Sequence, residues 1–286
     1  MRRSPLLQWA DLPQNGAMVA QPSAVDAARL KTAVRNGELE LRYQPEVDLR
    51  TGEILALEAL VRWTCPGVGT IEPRDFLPVA QEHGLMETID TWVLESGAAQ
   101  AAVWQADYGQ KRLMWLNVSV DSLLDKAFIY RVVGILDRYA LPAGELGLEI
   151  SENVLARLGE QGRILLDDLR DLGFALVVDD FNSFDAALET IAALPIDAIK
   201  LGHGLVRGQD EAQLRTLVGH AHDKGLYVVA EGIETEQEAF RLTSLGCDRA
   251  HGYLYGSAQR PDRAAWLLEQ GFQWRGHPLH QATRSD

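Results

Sequence analysis

Short apolar runs alternate with helical patterns along most of the chain, and this alternation constrains the fold more than any other feature. Helical segments such as FLPVAQEHGLMETIDTWVLESGAAQAAVW and GRILLDDLRDLG separate most of the apolar runs. Such alternation is typical of a parallel α/β sheet. The strand-like runs are LELRYQPEV, ILALEALVRW, LMWLNVSV, LGLEIS, ALVVDD, AIKL, YVVAEG and AHGYLYG.

The first two runs are the exception, because only a short turn with Thr51, Gly52 and Glu53 separates them. That spacing predicts a hairpin and therefore an antiparallel entry into the sheet. The number of strands, the length of 286 residues and the absence of a linker favour a closed barrel over an open sheet. The predicted fold class is α/β, a TIM-like (β/α) barrel with an antiparallel entry strand.

Both ends of the chain differ from this alternating core. Residues 1–22 show no sustained hydrophobic period, which predicts an N-terminal extension. Ser23 is the predicted N-cap of the first helix, and Gly37 is predicted to end it. We expect a barrel domain over residues 23–272 and a loose polar C-terminal tail over residues 273–286.

Charge and cysteine content exclude several classes of function. The formal net charge is -14, from 41 acidic and 27 basic residues, which argues against binding to a nucleic acid polymer. Cys65 and Cys247 are too few for a disulfide framework or a cysteine-rich zinc site. No apolar run is long enough to span a membrane, and the N-terminus lacks the apolar segment of a signal peptide. We therefore expect a cytoplasmic protein.

Polar side chains recur at the C-terminal ends of the apolar runs. In a (β/α) barrel these ends meet on one face, where active sites are built. A single carboxylate at such a place is usually a helix cap or a loop contact, and Asp180 alone could cap the following helix. Several independent caps would rarely also form one set of metal ligands. The residues are Glu58, Asn117, Glu149, Asp179, Asp180, Lys200, Glu231 and His251.

Together these side chains suit the chemistry of phosphate esters. Carboxylate and amide oxygens are suitable ligands for a hard cation such as Mg²⁺ or Mn²⁺. The adjacent Asp179 and Asp180 can place one carboxylate between two such ions. Lys200 and Glu231 could orient a water molecule, accept its proton and balance charge. The pattern predicts metal-assisted cleavage of a phosphate ester.

The motifs around these residues resemble those of the EAL-domain phosphodiesterases, which open cyclic di-GMP to a linear dinucleotide with two divalent metal ions. The motif after which the family is named is Glu58-Ala59-Leu60 in this sequence, and the resemblance covers residues 38–265. The other matching motifs are YQPEVDLRTGEI, LNVS, LEISEN, VVDDF, LPIDAIK and VVAEGIET, with DTWVLESGAAQ and GCDRAHGYLY.

The resemblance implies a cofactor of two divalent cations, Mg²⁺ or Mn²⁺, with Ca²⁺ expected to inhibit. Lys200 would position the attacking water, and Glu231 would reach the second metal directly or through water. Glu152 would support the loop after the aspartate pair. The first metal would be held by Glu58, Asn117, Glu149 and Asp179, and the second by Asp179 and Asp180.

The resemblance also implies cyclic di-GMP as the small-molecule partner. Arg62 would bind a phosphate, and Asp90 would accept hydrogen bonds from a guanine edge. The full set of implied substrate-binding residues is Gln44, Leu60, Arg62, Asp90, Glu234 and His251.

Three departures from the family's motifs favour weak or lost activity. The loop that reads GTGYSS in the family is Asn182-Ser183-Phe184-Asp185-Ala186-Ala187, so positions suited to positive φ carry side chains. The family's Lys-x-Asp is Lys200-Leu201-Gly202, which removes a carboxylate. Gln-Gly-Tyr is His251-Gly252-Tyr253, which changes a contact to the ligand.

Two functions are therefore expected. The first is hydrolysis of cyclic di-GMP to linear pGpG, with reduced activity, and the retained metal ligands favour it. The alternative is a weak or inactive EAL domain that acts as a cyclic di-GMP receptor or a protein-interaction module, and the altered loop favours it. Since the sequence contains no recognisable sensor or cyclase domain, we expect regulation through a homodimer, a protein partner or the terminal extensions.

Overall fold

One β-sheet closes on itself to form a barrel, and helices pack around it. The computed structural model describes residues 25–108, 112–183, 185–208 and 210–269, without the side chains of residues 156, 185 and 186. The predicted extension over residues 1–22, the predicted cap at Ser23, Phe184 and the predicted tail lie outside the described residues.

The strands and helices alternate along the described chain as the sequence predicts. The strands are β1 (Leu39–Asp48), β2 (Ile54–Cys65), β3 (Gly69–Ile71), β4 (Leu113–Asn117), β5 (Leu146–Ser151), β6 (Ala175–Phe181), β7 (Ala198–Leu201), β8 (Tyr227–Ala230) and β9 (Arg249–His251). The helices are α1 (Ala27–Arg35), α2 (Pro73–Glu82), α3 (Met86–Tyr108), α4 (Val120–Leu124), α5 (Phe128–Tyr139), α6 (Glu152–Leu172), α7 (Asp185–Ala192), α8 (His203–Arg207), α9 (Glu211–Asp223), α10 (Glu236–Leu245) and α11 (Pro261–Glu269).

The barrel closes because β1 pairs with both β2 and β9. The order around the ring is β1, β9, β8, β7, β6, β5, β4 and β2, with β3 attached to β2. β1 is antiparallel to both of its neighbours, whereas the other neighbours in the ring are parallel. These pairings confirm the TIM-like (β/α) barrel with an antiparallel entry strand. They also confirm the hairpin, whose turn includes Gly52 at a φ of 75°.

Alternate residues of each strand face the inside of the barrel, which places a polar layer directly above an apolar one. The lower layer contains Ala56, Trp115, Val177 and Ala198, all fully buried. Two positions further along the same strands stand Glu58, Asn117, Asp179 and Lys200. The period of two therefore carries the predicted site residues to the C-terminal mouth of the barrel, above an apolar floor.

Helix α1 begins later than the sequence predicts. Its first residue is Ala27, and the Asp26 side chain accepts a hydrogen bond of 2.7 Å from the backbone N of Arg29. Asp26 is as good an N-cap as serine and lies next to the first helical turn, so the prediction of Ser23 as the cap was wrong. Gly37 follows the helix with a φ of 67°, which confirms its predicted role as the terminator.

The structure also bears on disulfide bonds and on membrane-spanning helices. Cys65 and Cys247 are both buried and not disulfide-bonded. No helix among the described ranges combines the length and the apolar character that crossing a lipid bilayer requires.

We predict that Gly147→Ala destabilises the barrel by about 1–3 kcal/mol, the usual cost of overpacking a core. Gly147 is the register partner of Trp115, and a Cβ at Gly147 would lie 2.2 Å from two carbons of the indole. Trp115 is fully enclosed and has no room to withdraw. Urea unfolding followed by circular dichroism measures the loss.

The matched control is Gly134→Ala, at an exposed position of α5 where a Cβ would contact nothing within 4 Å. It should leave stability unchanged or raise it, because alanine favours helix more than glycine does. Equal stability of the Gly147→Ala protein and the wild type would contradict the packing of Trp115 described above.

Candidate active site

The strand-end residues that the sequence singles out meet at the C-terminal mouth of the barrel. Most of them stand near the end of their own strand or just beyond it, and Glu58 stands inside the longer β2, so the order around the mouth follows the strand order. Contacts between side chains link them into one cluster, which we call the mouth cluster. Its members are Glu58, Asn117, Glu149, Asp179, Lys200, Glu231 and His251.

Lys200 lies at the centre of the mouth cluster, with only 1% of its surface exposed. Its Nζ is 3.2 Å from Glu58 Oε2 and 3.9 Å from Glu231 Oε1, and it also forms an ion pair with Glu149. Burial alone would lower the pKa of Lys200, but the surrounding carboxylates outweigh burial and raise that pKa well above its ordinary value. Lys200 is therefore an ammonium at any physiological pH.

The carboxylates of the mouth cluster carry more negative charge than Lys200 balances. Burial, reinforced by the charge of Glu231, raises the pKa of Asp179 to about 7. Burial and the charge of Glu58 raise the pKa of Glu149 well above its ordinary value. Burial and the neighbouring negative charges thus disfavour the ionised form of both groups relative to an exposed carboxyl. The site therefore favours additional positive charge.

The donor atoms of the mouth cluster fit a divalent cation. Asp179 Oδ1 is buried without a hydrogen-bond partner. Within the part of the chain that the structure describes, one group of three donors lies within 4.8 Å of one another, and it consists of Glu58, Glu231 and His251. Asn117 donates to Glu58 Oε1 at 3.3 Å and to Glu149 Oε2 at 3.0 Å, so its amide would have to turn to offer oxygen to a metal. The predicted metal assignments stay predictions.

His251 lies inside the mouth cluster, although the sequence predicts a contact with the substrate. Its Nε2 is 2.9 Å from Glu231 Oε1 and its Nδ1 is 3.5 Å from Glu58 Oε2, with 11% of the side chain exposed. Burial would raise the pKa of Glu231, but the charge of His251 and its hydrogen bond lower that pKa to about 2. The sequence placed His251 at this end of the barrel, but the motif does not give the direction of the ring or its partners.

Asp180, next to Asp179 in the sequence, is exposed and contacts the following loop. Its φ is 49°, and its exposed carboxylate accepts a hydrogen bond of 2.8 Å from Asn182 Nδ2. Asn182, which stands where the family has a glycine, does not have a positive φ, whereas Asp180 near the end of β6 does. Glu152 Oε2 accepts a hydrogen bond of 2.9 Å from the backbone N of Asn182, which ties the start of α6 to this loop.

The β1–β2 hairpin extends past the mouth and carries three predicted substrate contacts. Leu60 and Arg62 follow Glu58 at intervals of two, so they share its face of the strand. Arg62 Nε is 3.0 Å from Glu72 Oε2, and Leu60 is partly exposed. Gln44 Nε2 donates to the carbonyl oxygen of Gly256 at 3.0 Å. Their roles in substrate binding stay predictions.

Asp90 and Glu234 bind protein groups rather than facing the mouth cluster. The Asp90 side chain is buried, and its Oδ2 accepts hydrogen bonds from the backbone N and Oγ of Ser119 and from Ser122 Oγ. Glu234 is half-exposed and pairs with Arg207 at 2.7 Å. Neither geometry supports a substrate contact, which stays a prediction for both residues.

We predict that the metal-free protein loses stability as pH rises from about 4 to 7. The pKa of Asp179 is raised to about 7 in the folded protein, so the folded chain holds a proton that the unfolded chain has already released. Glu149, whose folded pKa is also raised, acts in the same direction. Urea unfolding at a series of pH values in the presence of a chelator measures the slope.

Asp179→Asn should reduce that slope, and so should saturating Mn²⁺, because a cation replaces the proton. The control Asp168→Asn changes an exposed carboxyl on α6, away from the cluster. Stability that stays constant or rises across this pH range would contradict the crowding of carboxylates around Lys200.

Comparison with known proteins agrees with the geometry. The family model described as the EAL domain matches residues 27–258. The uncharacterised protein Rv1354c of Mycobacterium tuberculosis is 37% identical over 232 residues, which is 79% of this chain and 37% of that protein. The cyclic di-GMP phosphodiesterase PA2567 of Pseudomonas aeruginosa is 36% identical over 233 residues, which is 79% of this chain and 40% of that protein. The chain spans less than half of the length of these relatives.

Solved structures share the fold. A PaMucR phosphodiesterase in complex with c-di-GMP superposes with a TM-score of 0.78 and 29% identity, covering 83% of this chain and 98% of that one. The EAL domain of Mycobacterium smegmatis DcpA superposes with a TM-score of 0.68 and 33% identity, covering 82% of this chain and 98% of that one. The match over most of the chain and the barrel that carries it show that this protein belongs to the EAL domain family.

Proposed function

We propose that this chain is a metal-dependent phosphodiesterase that hydrolyses cyclic di-GMP to linear pGpG. The observation that carries the proposal is the mouth cluster, in which a buried ammonium is surrounded by more carboxylates than it can neutralise. Such a site attracts divalent cations, and divalent cations in turn attract an anionic phosphate ester. The relative named as a cyclic di-GMP phosphodiesterase supports the choice of substrate.

Hydrolysis joins a water oxygen to phosphorus and breaks the bond from phosphorus to one sugar oxygen, which gains a proton. Bound Mg²⁺ or Mn²⁺ would stabilise charge on the phosphate and lower the pKa of the water. Glu58, Asn117, Glu149 and Asp179 would hold one ion, and Asp179 and Asp180 the other.

Lys200 and Glu231 would act on the attacking water molecule in different ways. Because the pKa of Lys200 is raised, its ammonium orients the water and offsets negative charge, and it does not accept a proton. Glu231 is ionised near neutral pH, since its pKa is about 2, and so weak a base suits holding the water by a hydrogen bond better than removing its proton.

One observation favours the alternative of a cyclic di-GMP receptor with little turnover. The Asp180 carboxylate, a proposed ligand of the second ion, is exposed, and its Oδ1 already accepts a hydrogen bond from Asn182, which leaves fewer free lone pairs for a cation. Weak occupancy by the second ion would slow the chemical step more than it weakens ground-state binding. A cytoplasmic location and regulation by a homodimer or a protein partner stay part of this proposal.

Incubation of the purified chain with cyclic di-GMP and Mg²⁺ or Mn²⁺ should yield pGpG, detected by liquid chromatography. We predict that Lys200→Ala lowers kcat by on the order of 10²–10³, because it removes the charge that orients the water. The control Lys224→Ala removes a surface ammonium paired with Glu189 and should retain wild-type kcat. Tight binding of cyclic di-GMP by calorimetry in Ca²⁺, with no pGpG in Mn²⁺, would establish the receptor instead.

His251 predicts a preference for Mn²⁺ over Mg²⁺, because imidazole nitrogen binds transition metals better than it binds Mg²⁺. The variant His251→Gln should lower the affinity for Mn²⁺ relative to Mg²⁺ by about tenfold or more. Competition calorimetry and the electron paramagnetic resonance of bound Mn²⁺ measure the effect without reference to activity.

The matched control is His222→Gln, since His222 is half-exposed and pairs with Asp248 away from the mouth cluster. Equal metal preference in the wild type and His251→Gln would show that His251 is not a ligand.

A further inference from the structure

The loop after β6 and the residue after β7 share one small space. Asn182 Nδ2 donates to the carbonyl oxygen of Asp180 at 2.9 Å and to Asp180 Oδ1 at 2.8 Å. A Cβ built on Gly202 would lie 2.5 Å from Asn182 Oδ1, 2.6 Å from Asn182 Nδ2 and 2.5 Å from Asp180 Oδ1. Real Cβ contacts are not this short, so the Asn182 amide fills the volume that a side chain at position 202 would need.

Gly202 is not required by its backbone conformation. Its φ is -62° and its ψ is 157°, values that any residue adopts. Its backbone N donates to the carbonyl oxygen of Phe181 at 2.9 Å, a bond that an alanine would also make. The need for glycine at this position is therefore one of space, and the neighbours that occupy the space are the Asn182 amide and the Asp180 carboxylate that it binds.

The Asp180 carboxylate depends on that amide for its position. Asp180 has a positive φ, which for a residue other than glycine costs free energy that the surroundings must offset. The Asn182 amide binds both the carbonyl and the carboxylate of Asp180, so it holds the backbone and the side chain of this residue together. Glu152 in turn holds the backbone N of Asn182 at 2.9 Å.

We propose that Asn182 is a positioning residue for Asp180. Gly202 has no side chain and so leaves the space that the Asn182 amide occupies. Two of the positions at which this sequence departs from the family's motifs then form one unit, with a side chain at 182 in place of one at 202. The positioning role rests on the proposed function, in which Asp180 is a ligand of the second cation. The shared space does not rest on it.

A double-mutant cycle, measured by thermal unfolding, tests whether positions 182 and 202 share one space. In the wild type, Gly202→Ala should lower Tm by roughly 2–10 °C, because the new Cβ overlaps the amide and the carboxylate. In an Asn182→Ala background the same change should lower Tm by less, because the amide is gone and the remaining close neighbour, the Asp180 carboxylate, is exposed and can rotate away. Gly204→Ala is the control, since a Cβ there would lie 3.4 Å from Asn182 Oδ1, an ordinary contact.

A titration with Mn²⁺ alone tests the positioning role, with electron paramagnetic resonance as the readout. Asn182→Ala should weaken the weaker of two Mn²⁺ sites by about tenfold or more and leave the tighter site unchanged. In an Asp180→Ala background, Asn182→Ala should have no further effect on either site. A purely structural role would not produce that dependence on Asp180.

Each arm has an outcome that overturns its part of the proposal. Equal changes in Tm for Gly202→Ala in the two backgrounds would overturn the shared space. Unchanged Mn²⁺ affinity in Asn182→Ala, or an equal loss in both backgrounds, would overturn the positioning role. A wild type that binds no Mn²⁺ would overturn the proposed function together with the positioning role. The double-mutant cycle in Tm would still test whether positions 182 and 202 share one space.

Discussion

The attraction between the buried ammonium of Lys200 and the carboxylates around it organises the mouth of this barrel. Burying any one of these charges alone would be costly, because the low dielectric inside the protein cannot replace water around an ion. Lys200 makes the burial of Glu58 and Glu149 tolerable, and they in turn keep it protonated. The compensation is incomplete, which is why Asp179 and Glu149 hold protons at pH values where exposed carboxyls are ionised.

The barrel makes this arrangement rigid. Glu231 directly follows β8, and the other charged side chains stand on strands that are paired on both sides, so the backbone that carries them is fixed by the sheet. Below them lies an apolar layer that includes the fully buried Trp115, which fits because Gly147 beside it has no side chain. A site built on strands above a packed floor holds its geometry better than one built on loops. Unbalanced charge can therefore persist here until cations bind.

The predicted site residues outside the mouth cluster contact neighbouring protein groups, whereas those within it contact one another. Asp90 and Glu234 are each bound to neighbouring protein groups, and Asp180 is held by Asn182 in the loop after β6. The structure thus separates a preformed cluster of side chains on the strands from the Asp180 carboxylate, which is held by a loop residue. This division gives a physical reason why binding and turnover could be affected to different degrees by changes in the loop.

The sequence by itself determined the architecture and the membership of the mouth cluster. Strand period, the hairpin turn and the polar residue at each strand end are local features, and closure of a barrel brings strand ends together whatever the side chains do. Only the tertiary structure decided the directions and partners of those side chains. That Lys200 lies at the centre, that His251 joins Glu58 and Glu231, and that Asn182 occupies the space left by Gly202 depend on contacts between strands far apart in sequence. Such contacts are set by the summed charge and volume of several elements at once, and no single stretch of sequence contains that information.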